Sequence, residues 1–336
     1  MKRIVELDYL KGILILLVIS FHLVYFEQLH PDIKQVVYAF HMPGFLLLSG
    51  YLMNVAKPPK SFLRTLLFLA VPYIVMESGY ICMASLLPIN EHIEHLTPAV
   101  FLDRLLLHPL GPYWYLHTLI LCEAIYYIIC RTISQQTHPQ PLPCREGRRY
   151  PSRWYILLSL QGRGWERVLL TGIIYYALSR GLDMMTFSSA LYFLAGAAIR
   201  QSGMDFRSVF WASPFAVIAF FLLAFLSDSP TQSSIAGVLI IWSALSSLLW
   251  SYKLLPYKGR TGGVFLGRNS LVLYVFSPIF TILCKQFVPY LRFDPTGLLF
   301  LFVSLAFCVA GSLAIAWAMD FAGISRFFFG RKAIAQ

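Results

Sequence analysis

Long apolar runs alternate with short polar segments along this chain. Most runs approach 20 residues, the length that an α-helix needs to cross a bilayer. Ten spans are predicted, at 9–27, 34–54, 66–87, 112–130, 167–180, 185–199, 209–227, 234–252, 268–287 and 297–319. The pattern predicts an all-α fold, a polytopic integral membrane protein whose single transmembrane domain covers residues 1–330.

Charged residues sharpen this prediction. They make up 13% of the chain, against about 25% in a soluble protein, and the net charge is +11. With the N-terminus inside, the outer segments hold only five basic residues: Lys34, Arg104, Arg180, Lys285 and Arg292. This bias follows the positive-inside rule. It predicts cytoplasmic termini, a cytoplasmic (inner) membrane location and the lipid bilayer, rather than a nucleic acid, as the partner of the basic charge.

The first predicted span carries ionisable side chains on one face. Lys11 and His22 lie eleven residues apart, which in a helix is three turns and about 16 Å. Asp8 precedes Lys11 by about one turn, so we expect these two side chains to pair. Ionisable groups in membrane helices usually face a protein interior or a water-filled cavity. The stripe therefore indicates a polar path into the bilayer.

A second histidine is predicted at a similar depth. His41 lies about 10 Å below the outer surface, and His22 about 18 Å above the inner surface of a core about 30 Å thick. Pro43 and Gly44 are expected to open the backbone of this second span beside a cavity. Either histidine alone also fits an ordinary hydrogen-bonded interior residue.

Several residues near the predicted inner surface suit an anionic ligand. Arg64 precedes span three, and arginine offers a planar fork of donors to phosphate. Arg268 stands at the start of span nine, where Asn269 or Ser270 would cap the helix and its N-terminus would favour an anion. An ordinary positive-inside residue and a simple cap explain these positions equally. Trp114 begins span four and also fits an aromatic interface belt.

Residues 134–165 differ from the rest, being rich in Pro, Arg and Gly. With permitted codons, the complement of DNA encoding Gln140–Glu146 encodes Ser159–Gly164 in a shifted frame. We interpret 134–165 as a flexible cytoplasmic loop inserted by an inverted repeat; an ordinary basic loop is the alternative. The six cysteines show no zinc or disulfide spacing, so no metal is expected.

Four segments resemble the membrane acyltransferase family 3. LDYLKG with His22 resembles the family's basic-x10-His element, and FHMPGFLLLSGYL resembles its sugar O-acetylase branch, similar to the fucose 4-O-acetylase-like group. Two further segments resemble the family more weakly. One combines Arg64 and Val71-Pro72-Tyr73 with the Trp114-Tyr-Leu start of span four, and the other combines Gly267-Arg-Asn-Ser-Leu with Tyr274. Together they spread over residues 3–280.

The resemblance implies a ten-helix enzyme that takes an acyl group from cytosolic acyl-CoA. It implies no bound cofactor, acetyl-CoA as co-substrate, and a polysaccharide or lipid-linked sugar acceptor in the cell envelope, alongside other polysaccharide-assembly proteins. The essential histidine maps to His22 and its basic partner to Lys11, where arginine is commoner. Ser277 stands where a histidine often follows the span-nine tyrosine. Some relatives carry an appended hydrolase-like domain, and none is expected here.

Transfer from a thioester to a hydroxyl needs a base, and the pKa of histidine lies near neutrality. His22 is interpreted as that base or as a transient acyl carrier. His41 would orient His22 or the acceptor, and Asp8 would hold Lys11. Lys11 and Arg64, with Arg268, Asn269 and Trp114, would bind the donor. A transporter or flippase of a polysaccharide intermediate is the alternative function, and a haem carrier using His22 and His41 is a third.

Overall fold

The computed structural model describes residues 3–86, 91–135, 164–226 and 234–330, and these parts contain helices and no strand. Two 3-10 turns, Gly111–Tyr113 and Cys284–Phe287, join helices. In chain order the α-helices are α1 (Val5–Ser20), α2 (Val24–Leu29), α3 (Pro31–Leu52), α4 (Pro59–Leu86), α5 (Pro98–Leu106), α6 (Trp114–Gln135), α7 (Gly164–Gly181), α8 (Phe187–Gln201), α9 (Phe206–Val209), α10 (Pro214–Leu226), α11 (Ile235–Leu254), α12 (Tyr257–Arg268), α13 (Ser270–Leu283), α14 (Val288–Leu291), α15 (Leu298–Phe321) and α16 (Ser325–Phe328).

Every one of the ten predicted spans overlaps one of these helices. Within the described ranges, five stretches are long and apolar enough to cross a membrane: Pro59–Leu86, Pro98–Ile133, Ile235–Leu254, Ser270–Leu291 and Leu298–Phe321. Helix α10 is a shorter apolar helix of 13 residues. The protein is thus a membrane protein whose described residues form helices and no strand, while the count of ten and the side of the termini stay predictions.

The first predicted span is not one helix, which corrects the expectation for 9–27. Helix α1 ends at Ser20, and Leu23 is extended, with φ −84° and ψ 93°, before α2 begins. The His22 N–H still bonds the carbonyls of Val18 and Ile19, each at 3.2 Å. The side chain of His22 adds a bond to the Val18 carbonyl, and such side-chain bonds satisfy the last carbonyls of a helix. His22 therefore stands at the end of α1 rather than inside it.

The second predicted span remains helical through its proline, which corrects the expected opening at Pro43 and Gly44. Helix α3 runs from Pro31 to Leu52 without interruption, although Pro43 removes one backbone donor. Gly44 packs against other helices instead. A Cβ there would lie 3.4 Å from Leu14 Cδ1, so the small residue lets α3 approach α1.

The segment 253–268, expected to be an inner loop, mostly forms helix α12. Its sequence, YKGRTGGVFLGR, is rich in glycine, which disfavours helix by about 1 kcal/mol per residue. The glycine-rich segment is helical because it packs closely against α1. A Cβ on Gly12 would lie 2.0 Å from the Gly263 carbonyl oxygen, and one on Gly267 would lie 1.6 Å from the Asp8 carbonyl oxygen. The glycines thus let the backbones of α1 and α12 touch.

Helices α3 and α8 cross in the same way. A Cβ on Gly50 would lie 2.0 Å from the Phe193 carbonyl oxygen, and one on Gly196 would lie 2.0 Å from that of Leu47. Small residues at such crossings allow close helix packing in membranes. The two crossings lie on α1 and α3, which carry the two histidines, so both histidines stand on closely packed helices.

The predicted insertion at 134–165 lies outside the described residues, except for its two residues at either end. Residues 134–135 complete α6, and residues 164–165 begin α7.

Candidate active site

His22 is held in one tautomer by the backbone. Its Nδ1 lies 2.7 Å from the Val18 carbonyl oxygen, and the side chain is half-buried. A carbonyl oxygen only accepts, so Nδ1 carries the hydrogen and donates it. The neutral ring then has its lone pair at Nε2, the state that a general base requires.

His41 is held by the same device one helix away. Its Nδ1 donates to the Val37 carbonyl oxygen at 2.6 Å, and its side chain is only 1% exposed. Its Nε2 has no hydrogen-bond partner among the described residues. Tyr38 links the histidines, because its hydroxyl donates to the Phe21 carbonyl at 3.2 Å and its ring meets His41 edge-on at 5.0 Å. The two imidazoles are also close enough to interact electrostatically.

Asp8 and Lys11 form an ion pair at the start of α1. Asp8 Oδ1 lies 3.0 Å from Lys11 Nζ, and Asp8 Oδ2 accepts a bond of 2.6 Å from Arg3 Nε. The Asp8 side chain is 6% exposed and that of Lys11 is 23% exposed. Asp8 thus neutralises and orients two cations, while Lys11 remains accessible.

A cleft lined by Lys11 lies between α1, α3, α4, α6 and α13. This central cleft has a volume of about 280 Å³ and is mainly apolar. Its polar lining residues include Lys11, Ser49, Lys57, Tyr115, Glu123 and Tyr274. Glu123 and Lys57 interact electrostatically, and the Tyr115 and Ser49 hydroxyls lie 3.0 Å apart. The cleft therefore combines an apolar body with cations near Lys11.

A second cleft adjoins the first and shares Lys11, Thr65 and Ser270 with it. This side cleft has a volume of about 360 Å³ and is lined by the exposed Arg268. The neighbouring Asn269 is buried and occupies the cap position of α13. Its side chain does not cap that helix, contrary to expectation, because the amide Nδ2 donates to the Phe265 carbonyl at 3.0 Å.

A small cavity of about 10 Å³ lies at His22. This His22 cavity is lined by Val18, Ile19, His22, Pro112, Tyr274, Ser277, Pro278 and Thr281. Its volume is about that needed for one water molecule. Among the lining residues, Tyr274 alone also lines the central cleft. Tyr274 therefore lies between the two spaces: its ring meets that of Tyr115, which lines the central cleft, and its hydroxyl bonds to Pro112, which lines the His22 cavity.

The Tyr274 hydroxyl donates to the carbonyl of Pro112, within the turn that covers the His22 cavity. We call residues 110–113 the strap. Two glutamate side chains hold it, since Glu77 accepts the Leu110 N–H and Glu91 accepts the Gly111 N–H, each at 2.7 Å. The Tyr113 hydroxyl further donates to the Val275 carbonyl at 3.1 Å. The strap is thus fixed at several points.

Three predicted donor-binding residues line neither cleft: the buried Asn269, Arg64 and Trp114. Arg64 is exposed, and its guanidinium lies 5.5 Å from the centroid of the Phe68 ring. Trp114 is half-buried at the start of α6 and packs against the core. Their neighbours Thr65 and Tyr115 line the central cleft instead. The structure therefore brings Lys11 and Arg268 to the clefts, but not Arg64, Trp114 or Asn269.

Sequence reasoning missed three residues of this site. Lys57 lies in the loop before α4, where it resembles any positive-inside lysine. Tyr115 and Tyr274 come from distant helices, and their rings meet at 5.4 Å. Tyr274 was part of a recognisable segment, but only the packing of α13 against α1 and α6 reveals that it lies between the clefts and His22.

Comparison with known proteins adds one match. No curated protein and no solved structure matches the chain. The family model of acyltransferase 3, described as an acyltransferase domain, matches residues 4–317 and so covers α1 to most of α15. The matched part includes His22, His41, the strap and every helix that lines the central cleft. The chain therefore belongs to the acyltransferase 3 family.

Proposed function

We propose that this protein is an O-acetyltransferase of the cytoplasmic membrane. It would move an acetyl group from cytosolic acetyl-CoA to a hydroxyl of a cell-envelope or exported polysaccharide, or of its lipid-linked precursor. The observation that carries the proposal is the position of His22. Its lone pair is directed to Nε2 by the Val18 carbonyl, and one tyrosine separates it from a cleft bordered by cations.

The central and side clefts suit acetyl-CoA. Lys11, Lys57 and Arg268 would meet the phosphates, since charge-assisted hydrogen bonds to phosphate are strong. The apolar body of the central cleft would hold the pantetheine arm. Its volume of about 280 Å³ lies at the lower end for ligand sites, and the side cleft adds room for the nucleotide.

The chemical step needs a base and neighbouring residues that hold the base and the donor-binding side chain in position. The acceptor hydroxyl oxygen attacks the thioester carbonyl, so that a C–O bond forms as the C–S bond breaks. The hydroxyl proton passes to His22 Nε2 and then to the departing sulfur of CoA. His41, through Tyr38 and Phe21, would keep His22 in position, and Asp8 would hold Lys11 toward the donor.

The test uses inverted membrane vesicles, which present the cytosolic side, and acetyl-CoA labelled in the acetyl group. Label should enter the polysaccharide fraction with wild-type protein. His22→Ala should lower the rate by about 10²- to 10⁴-fold, the usual contribution of a general base. His30→Ala is the matched control, because His30 is half-buried and its ring bonds the Thr296 carbonyl away from the clefts.

Full activity in a monodisperse His22→Ala protein would remove His22 from the mechanism. Movement of unlabelled glycan across the membrane, without incorporation of label, would instead support a transporter of a polysaccharide intermediate.

A further inference from the structure

We infer that Tyr274 sets the length of the acyl group that this protein transfers. The inference rests on the proposed function, since it concerns the acyl donor of the same site. Three observations carry it: the position of the Tyr274 ring, the size of the space behind the ring, and the rigidity of the strap that the ring meets.

The ring of Tyr274 stands where an acyl chain would pass. Tyr274 is 7% exposed and lines both the central cleft and the His22 cavity. A thioester that enters from the cleft advances with its acyl group first. To bring its carbonyl to His22, the donor must place the acyl tail in the space at and beyond this ring.

The space behind the ring is small. The His22 cavity has a volume of about 10 Å³, against about 280 Å³ in the central cleft. A space that admits about one water molecule also admits about one methyl group. The tail of an acetyl group is a single methyl, whereas a butyryl tail has three carbons. Longer acyl groups would overlap the walls formed by Ile19, Pro112 and Tyr274.

The walls on the strap side are fixed. Glu77 and Glu91 bind the backbone of the strap, and the Pro112 carbonyl accepts a hydrogen bond from the Tyr274 hydroxyl. The wall formed by helix α13 is held by fewer backbone hydrogen bonds. Pro278 has no N–H, so α13 lacks the bond that would reach the Tyr274 carbonyl four residues earlier. Because the strap is fixed, shortening the side chain of Tyr274 is the change that should make room for a longer acyl group.

The main test compares acetyl-, butyryl- and hexanoyl-CoA as donors in inverted vesicles. Tyr274→Leu should raise the ratio of butyryl to acetyl transfer at least tenfold over wild type. Tyr274→Phe keeps the ring and loses the hydroxyl, so its ratio should stay within threefold. Tyr73→Leu is the matched control, because the Tyr73 hydroxyl also donates to a buried carbonyl, Leu105 at 2.7 Å, but Tyr73 lines none of the three spaces.

A second test needs no catalysis. Ser277→Cys places a thiol in the His22 cavity, and its labelling by a small maleimide added on the cytosolic side is followed by mass spectrometry. Adding Tyr274→Leu should accelerate labelling at least tenfold, while adding Tyr73→Leu should not. Equal labelling rates with and without Tyr274→Leu would overturn the separation of the two spaces, and the inference with it.

The failures of the two proposals are distinguishable. If acetyl transfer depends on His22 but Tyr274→Leu leaves the ratio unchanged, the inference about acyl length is wrong and the proposed function stands. If no acyl-CoA donates in wild type, the proposed function is wrong, and the inference about acyl transfer is wrong as well, whatever the labelling result.

Discussion

The spaces on the two sides of Tyr274 are built from different chemistry. The central cleft is wide and carries Lys11, Lys57 and Glu123, with Asp8 orienting Lys11 from outside. The His22 cavity is small, and its lining holds no carboxylate and no permanent cation. There the imidazole is positioned by a backbone carbonyl rather than by an acid. Under the proposed function, charge would serve donor binding on one side, and an uncharged imidazole would serve as the base on the other.

This difference has a physical reason. An ionised side chain inside an apolar space is expensive unless it is paired, so a carboxylate behind His22 would itself need a partner. A backbone carbonyl carries two lone pairs, so the Val18 oxygen, which already accepts the His22 N–H, also accepts the ring Nδ1–H. The backbone of α1 therefore provides an orienting group without introducing a charge.

The largest expected effect contrasts the two histidines. His22→Ala should remove about 3–5 kcal/mol of transition-state stabilisation, equal to 10²- to 10⁴-fold in kcat. His41→Ala should lower kcat only about tenfold, as for residues that act through another group. Rates measured with saturating acetyl-CoA decide this. Equal losses in the two variants would mean that His41 takes part in the chemistry directly.

The next effect concerns the crossing of α1 and α12, which positions Arg268 relative to Lys11. Gly267→Ala should destabilise the fold by about 3 kcal/mol, because its Cβ would meet the Asp8 carbonyl. Gly262→Ala is the control, since a Cβ there meets nothing within 4 Å and alanine favours helix. Thermal unfolding in detergent measures both variants. An unchanged midpoint for Gly267→Ala would show that the crossing yields easily.

A smaller effect is expected from the cation of the central cleft. Lys11→Ala should raise the KM for acetyl-CoA by about 30-fold, or about 2 kcal/mol, with little change in kcat, because a charged hydrogen bond to phosphate is lost. Lys11→Arg should retain most of the affinity. Steady-state kinetics at fixed ionic strength measure this. A loss confined to kcat would place Lys11 on the chemical side of Tyr274 instead.

The smallest effect is expected at Arg64. Arg64→Ala should change the KM for acetyl-CoA by less than about threefold, because an exposed charge outside the clefts contributes little. The same kinetic assay with Lys11→Ala alongside makes the comparison direct. A rise as large as that of Lys11→Ala would mean that Arg64 turns toward the donor when it binds.

Much of the helix pattern could be read from the sequence, because apolar runs near 20 residues leave few alternatives in a bilayer. The spacing of Asp8, Lys11 and His22 likewise indicated a polar stripe; α1 carries Asp8 and Lys11, and His22 follows just after its end. The fine structure could not be read in this way. The end of α1 at Ser20 has no proline or glycine to mark it, and the bond from the His22 ring back to Val18 is visible only in the structure.

Helix α12 shows that contacts between distant parts of the sequence can override local helix propensity. Local propensity opposes a helix in YKGRTGGVFLGR, and only contact with α1, from far earlier in the sequence, makes its glycines an advantage. Arg64 shows a similar limit of sequence-based prediction for the candidate site. Its position near the start of α4 is evident from the sequence, but the rotation of that helix decides that Thr65, not Arg64, faces the central cleft.

The crossing of α1 and α12 also has a consequence for the order of assembly. The two helices come from early and late in the sequence. The contact between Gly12 and Gly267 therefore forms only after the intervening helices have been synthesised. Contacts of such wide sequence separation form late and slow the approach to the native state. The crossing also brings Arg268 beside Lys11. A partly synthesised chain therefore lacks a complete side cleft. Under the proposed function, it could not bind the donor until almost the whole protein had been inserted.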